Sequence, residues 1–222
     1  MELIGHRARF GWPRASSERP VAPIPLLVQL DESASWRLRR FSLHRPSSYV
    51  RHESMAFDPQ AYGPEVAAIL ALDGNGKRLM PLAPKGCSSD EARVALLASK
   101  AEDLFPHARF AKAAMCGLFL YFSCLDEAHK IAQDISTSEG SYWHGIMHRQ
   151  EPDPANAAYW FRKVGDHPVL KKLREADSRY PGPMEFIDMC EEGRREPNSP
   201  LEPIAREIQL LEWQLLFDWC AR

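Results

Sequence analysis

From Ser88 to the end of the chain, apolar residues recur every three or four positions, the spacing of helices that turn one face inward. Ser88 with Glu91 three residues later predicts a capping box, and Val94, Leu97, Ala101 and Leu104 form the stripe of the helix it opens. Residues 109–124 are apolar on nearly every side and predict a central helix. Shorter helices are predicted over 126–135, 138–150 and 154–164, the last opened by Asp153-Pro154, a cap followed by proline at the first helical position. Residues 168–176 and 183–193 are helical with weaker periodicity. In the last helix Ser199 caps, Pro200 starts and Glu202 closes the box, with Ile204, Ile208, Leu211, Leu215 and Trp219 as one stripe.

Upstream the period changes. Ala67–Leu72 and Lys77–Leu82 are apolar runs on either side of Asp73-Gly-Asn-Gly76, residues that tolerate the positive φ of a tight turn. This predicts a β-hairpin over 67–82, with Pro81 making its second strand an edge. Residues 1–60 are rich in Pro, Ser and Arg, and Pro13, Pro20, Pro23 and Pro25 preclude a continuous helix. Leu26–Leu30 and Trp36–Leu43 read as strands in an extended, partly disordered arm lying over the helical body. The fold class expected is therefore mainly α: a compact bundle of about six to eight helices over 61–222, one small β-hairpin and an extended N-terminal arm over 1–60.

Composition adds limits. With 222 residues, 45% hydrophobic and 26% charged, the chain can bury a core without disulfides or a structural metal. A net charge of −2 and a pI near 6.5 argue against nucleic acid as partner. The cysteines at 87, 116, 124, 190 and 220 contain no C-x-x-C pair, and Cys116 and Cys124, on one helix, stand roughly 12 Å apart by helical rise, too far to bridge. Free thiols in a reducing compartment are expected. The N-terminal residues lack the apolar core of a secretory signal, and the apolar run Ala113–Leu125 is too short to span a bilayer. A cytoplasmic protein without membrane contact is predicted.

The unusual polar residues concentrate in 126–167. On a helix over 138–150, Ser141, His144, His148 and Glu151 fall within about 80° of arc. On the preceding helix Asp126, His129 and Gln133 share the side opposite Ala128, Ile131, Ala132 and Ile135. Two consecutive short helices that pack together would bring Asp126 and His129 towards His144 and His148. Histidines four apart make a workable metal pair, and a third histidine or a carboxylate would complete a zinc or iron site. Metal ligands in this reading are His144, His148, His129 and Asp126. The glutamate that a zinc protease carries after its first histidine is missing; Gly145 stands there. Without a metal, His144, His148 and Glu151 would be acid, base or donor groups of a polar pocket, with Arg149 and Arg162 orienting a small anionic ligand through their paired donors. A third reading makes the histidines structural and the arginines members of an ion-pair lattice with Glu151 and Asp153. Trp143 and Trp160 read as core.

Three motifs fail on context. Asp126-Glu-Ala-His129 matches a helicase tetrad, but no phosphate-binding loop accompanies it; Asp73–Lys77 opens no helix; and Ala157–Lys163 is one copy of a repeat-like helix without neighbours at a fixed period. The string Tyr142-Trp-His-x-Ile-x-His-Arg-x-Glu-x-Asp-x-x-Asn-x-x-Tyr-Trp-Phe-Arg-x-Val-Gly165 resembles a family of uncharacterised bacterial proteins with similar fungal sequences, over roughly residues 65–170. The resemblance implies kinship and supplies no mechanism. Two functions follow from the residues: a small-molecule enzyme or metal- or polar-ligand-binding protein using the 126–167 cluster, or a non-catalytic interaction module with structural histidines.

Overall fold

The computed structural model describes residues 57–196 and 199–222. Among these, the chain forms ten α-helices: α1 (Pro64–Ala71), α2 (Asp90–Ala98), α3 (Ala101–Leu104), α4 (Ala111–Tyr121) and α5 (Leu125–Ala132). There follow α6 (Ser138–Gln150), α7 (Pro154–Val164), α8 (Pro168–Ala176), α9 (Pro183–Arg195) and α10 (Leu201–Ala221). The predicted arm lies outside the described residues except at its end, where Asp58 caps a 3-10 turn over Pro59–Tyr62. The strand candidates at 26–30 and 36–43 lie outside them altogether.

The mainly helical expectation holds, but the hairpin does not. No strand occurs among the described residues, and 67–71 complete α1. Half of α1 is Ala or Leu, and Pro64 at its first turn presets a helical φ, so local preference favours the helix. The glycine-rich turn does reverse the chain, with Gly74, Asn75 and Gly76 all at positive φ. A helix enters that turn, however, so residues 77–82 have no strand to pair with. Side chains of α10 satisfy them instead: Arg206 donates to Leu79 O at 2.6 Å and Gln209 to Met80 O at 3.3 Å.

Helices α6, α7 and α8 match their predicted spans residue for residue. The N-terminal boundary of α2 differs. Ser89, not Ser88, caps it by accepting from Ala92 N at 3.1 Å, while Ser88 N donates to Phe122 O at 2.7 Å. Its stripe also breaks at Ser99–Lys100, and the helix buries Ala92 and Leu96 while turning Val94 and Leu97 outward. At α10 no side chain caps the start, and the buried face is Ala205, Ile208, Glu212, Trp213, Leu216, Phe217 and Cys220. A fully buried glutamate on that face requires a buried partner.

Helix α4 is central as expected: every residue from Ala113 to Tyr121 is buried, and α2, α3, α5, α6 and α10 pack on it. Gly117 permits a close approach. A Cβ there would lie 2.8 Å from the Trp143 ring, and Trp213 Nε1 donates to Gly117 O at 2.7 Å. Helix α6 is the second interior element. The sequence predicts one apolar and one polar side for it, whereas all residues from Glu139 to Gln150 are buried. Its histidines, arginine and glutamate therefore sit inside the protein, where each needs a partner or a ligand.

The expectation of five free thiols is also corrected. Cys87 and Cys124, 37 residues apart, form a disulfide, while Cys116, Cys190 and Cys220 are free and buried. The bridge joins the loop before α2 to the turn between α4 and α5, two segments already clamped by the Ser88–Phe122 hydrogen bond. Cys116 is not the partner of Cys124, but the two do not share a helix as expected: Cys116 lies in α4 and Cys124 in the turn before α5, and local spacing could not reveal a loop folded back from a distance. No helix among the described residues is long and apolar enough to cross a membrane.

Candidate metal centre

Helices α5 and α6 pack together and bring three histidines into one cluster. His129 is half-buried on α5; His144 and His148, one turn apart on α6, are 1% and 9% exposed. The rings of His144 and His148 lie nearly parallel with centroids 5.7 Å apart. His129 meets both edge-on, at 5.0 Å and 5.6 Å. One nitrogen of each ring falls within 4.8 Å of the other two. The i, i+4 spacing sets the α6 pair on one face, and the α5–α6 contact supplies the third ring.

Helix α7 closes the cluster from the other side. Gly145 makes this possible, since a Cβ there would stand 2.9 Å from the Phe161 ring. The position that would carry a zinc protease's glutamate is thus occupied by a residue chosen for helix packing. On α7, Trp160 lies flat on His144, with centroids 4.0 Å apart and planes 3° apart. Lys163 Nζ sits over the same indole, 4.6 Å from its centroid.

Burial pushes the His144 imidazolium down to about 4, aided by His129, His148 and Lys163 nearby. The ring is neutral at pH 7, the form a metal requires. The Nδ1 atoms of His144 and His148 are buried without a hydrogen-bond partner, an expensive condition for polar groups. Glu151 Oε2 stands 3.0 Å from His148 Nδ1 but out of line for a hydrogen bond. In metal sites a carboxylate in this position commonly orients the ligating ring through its second nitrogen.

Three imidazoles fit a first-row divalent metal. With metal–nitrogen distances of about 2.0–2.1 Å, tetrahedral ligand atoms stand about 3.4 Å apart. The three ligand nitrogens, within 4.8 Å of one another, would draw in to that spacing on binding. Such a set leaves a coordination position for water or substrate.

Of the other sequence-predicted residues, Asp126 is exposed and belongs to no triad with the histidines; it lines a cleft of about 410 Å³ that Glu151 also borders. Arg149 is fully buried on the opposite side of α6 and pairs with Glu212 rather than with Glu151 or Asp153. Asp153 instead caps α7, accepting from Asn156 N at 3.1 Å. Arg162 is exposed on α7. Sequence reasoning missed Glu212, whose helix reads as a plain amphipathic one, and took Trp160 for core although it is half-buried against a candidate ligand. A separate polar group joins α6, α8 and α10: Glu139 Oε1 accepts from Trp219 Nε1 at 3.0 Å and lies 3.5 Å from His167 Nε2. His167 Nδ1 accepts from Val169 N and caps α8. No family model, curated protein or solved structure matches the chain.

Proposed function

We propose that the chain is a metal-dependent small-molecule enzyme whose divalent ion, zinc or iron, is held by His129, His144 and His148. The convergence of three imidazoles, one of which, His144, buries an unpartnered nitrogen, carries this reading. The metal would act as a Lewis acid and lower the pKa of a bound water. Glu151 would orient His148 or accept a proton at the mouth of the cleft it borders. Lys163, beside His144 on α7, would supply the positive charge for an anionic ligand. Arg149 is engaged with Glu212 and is not placed for that task.

One observation favours the second reading, a non-catalytic interaction module. His144 packs flat on Trp160 as a structural ring would. Zinc titration of chelator-stripped protein with its disulfide intact separates the two. One equivalent should bind, and His148→Ala should lower affinity by more than tenfold while the apo melting temperature stays nearly unchanged. Absence of uptake, or equal uptake by a variant lacking all three histidines, overturns the metal assignment.

A further inference from the structure

The cleft that borders Glu151 has a second chemical feature in its wall. Cys87, Cys124 and Glu127 each place a ligand-type atom within 4.8 Å of the others. Cys124 and Glu127 are buried and Cys87 is half-buried, so the pair is open to a reductant from the Cys87 side. Glu127 receives the Nε of Arg93 on Oε1 at 2.6 Å, and its second oxygen is not engaged by that contact. Around these groups, Asp90, Asp126, Glu127 and Glu151 outnumber Lys85 and Arg93 in the lining. A cation entering the cleft meets a surplus of negative charge before the sulfurs contribute any.

We propose that Cys87 and Cys124 are a reversible pair, and that once reduced they bind a thiophilic divalent cation together with Glu127. A dithiol reductant gives two electrons and two protons to the S–S bond, yielding two thiols and its own disulfide. The cation then displaces both thiol protons to form two metal–sulfur bonds, with the Glu127 carboxylate as third ligand. Around zinc, sulfurs at about 2.3 Å from the metal stand about 3.8 Å apart, against about 2.05 Å in a disulfide, so the opened pair must part by about 1.7 Å. The bond and the cation therefore exclude each other: a disulfide oxidant that takes two electrons from the two thiolates, and leaves with two protons as two thiols, re-forms the S–S bond and releases the ion. Neither outcome depends on the histidine cluster, which has no residue in common with this one.

The test uses cadmium and cobalt with full-length protein, reduced and oxidised, reading the thiolate-to-metal charge-transfer band. Reduced protein should show the band and bind one equivalent more than oxidised protein, which should lack it. A Cys87→Ser/Cys124→Ser variant, which keeps the three buried thiols, should lose both the band and the extra equivalent, and Glu127→Gln should weaken the extra site at least tenfold. A His144→Ala/His148→Ala variant should keep the band, so this site and the histidine site fail separately. A reduced protein without the band, or a band that survives in the double-serine variant, overturns the proposal. Should the double-serine variant not fold, alkylation decides: reduced wild-type protein saturated with cadmium should be protected at Cys87, and labelling at the cadmium-free rate contradicts the site.

Discussion

Replacing Glu212 with glutamine isolates the buried charge at the heart of the bundle. Arg149 and Glu212 are both fully excluded from water, and the guanidinium Nη2 donates to Glu212 Oε2. Tyr142 OH donates to the other carboxylate oxygen at 3.3 Å, and the guanidinium lies over the Phe186 ring at 4.4 Å. Burial alone would push Arg149 down, but Glu212 overrides it and holds the guanidinium charged. Glu212→Gln leaves that charge without a counterion in a dry interior, which costs about 3–5 kcal/mol. For a domain of this size the melting temperature should fall by roughly 6–20 °C. Urea unfolding and calorimetry would measure both. Nε and Nη1 of Arg149 have no hydrogen-bond partner, so the pair itself is incompletely compensated. An Arg149→Met/Glu212→Leu double variant should accordingly regain most of the loss, or exceed wild type by up to about 4 kcal/mol. Zinc uptake should be unchanged in both variants, because the pair faces away from the histidines. A Glu212→Gln protein within about 1 kcal/mol of wild type would refute the reasoning.

Two further outcomes follow from the same packing. Gly145→Ala drives a methyl into the Phe161 ring and should cost about 1–3 kcal/mol in urea unfolding while weakening zinc uptake severalfold, since α7 must retreat from His144. Burial holds His167 below its ordinary value, partly offset by Glu139, so the unfolded chain binds the proton more readily. Stability then falls as pH drops below about 6.5 and stops falling once the folded-state value is passed. His167→Asn, which can still accept from Val169 N, should reduce but not abolish the pH dependence of unfolding in that window, because His144 keeps contributing down to about pH 4; an unchanged slope contradicts it.

Cap chemistry and periodicity together fixed the start of α7 to the residue at Asp153-Pro154, but not at Ser88 or Ser199, where the predicted caps are not the ones used. Helices were less legible where two readings shared one pattern. Apolar periodicity alone reads Ala67–Leu72 as a buried strand as readily as a buried helix, and the Ala/Leu content with Pro64 at the first turn tips it to the helix. The triad was visible from His144 and His148 at i, i+4 with His129 on a neighbouring helix, because side-chain direction on short helices is set by local geometry. What lies opposite a face was not visible. The Arg149–Glu212 pair spans 63 residues, and the Cys87–Cys124 bridge joins two loops, so neither leaves a local signal. Helix α6 illustrates the limit best. Its polar residues suggest an exposed side, yet tertiary packing covers both sides and turns that polarity into a set of internal demands.

X-ray absorption of zinc-reconstituted, disulfide-intact protein puts the histidine cluster to the most direct test. Three imidazole shells with zinc–nitrogen distances of about 2.0–2.1 Å, completed by a light oxygen or nitrogen scatterer, are predicted. His129→Ala should lose one of those shells. A spectrum with sulfur scattering, fewer than three imidazoles, or no change in His129→Ala would contradict a metal centre built from these residues.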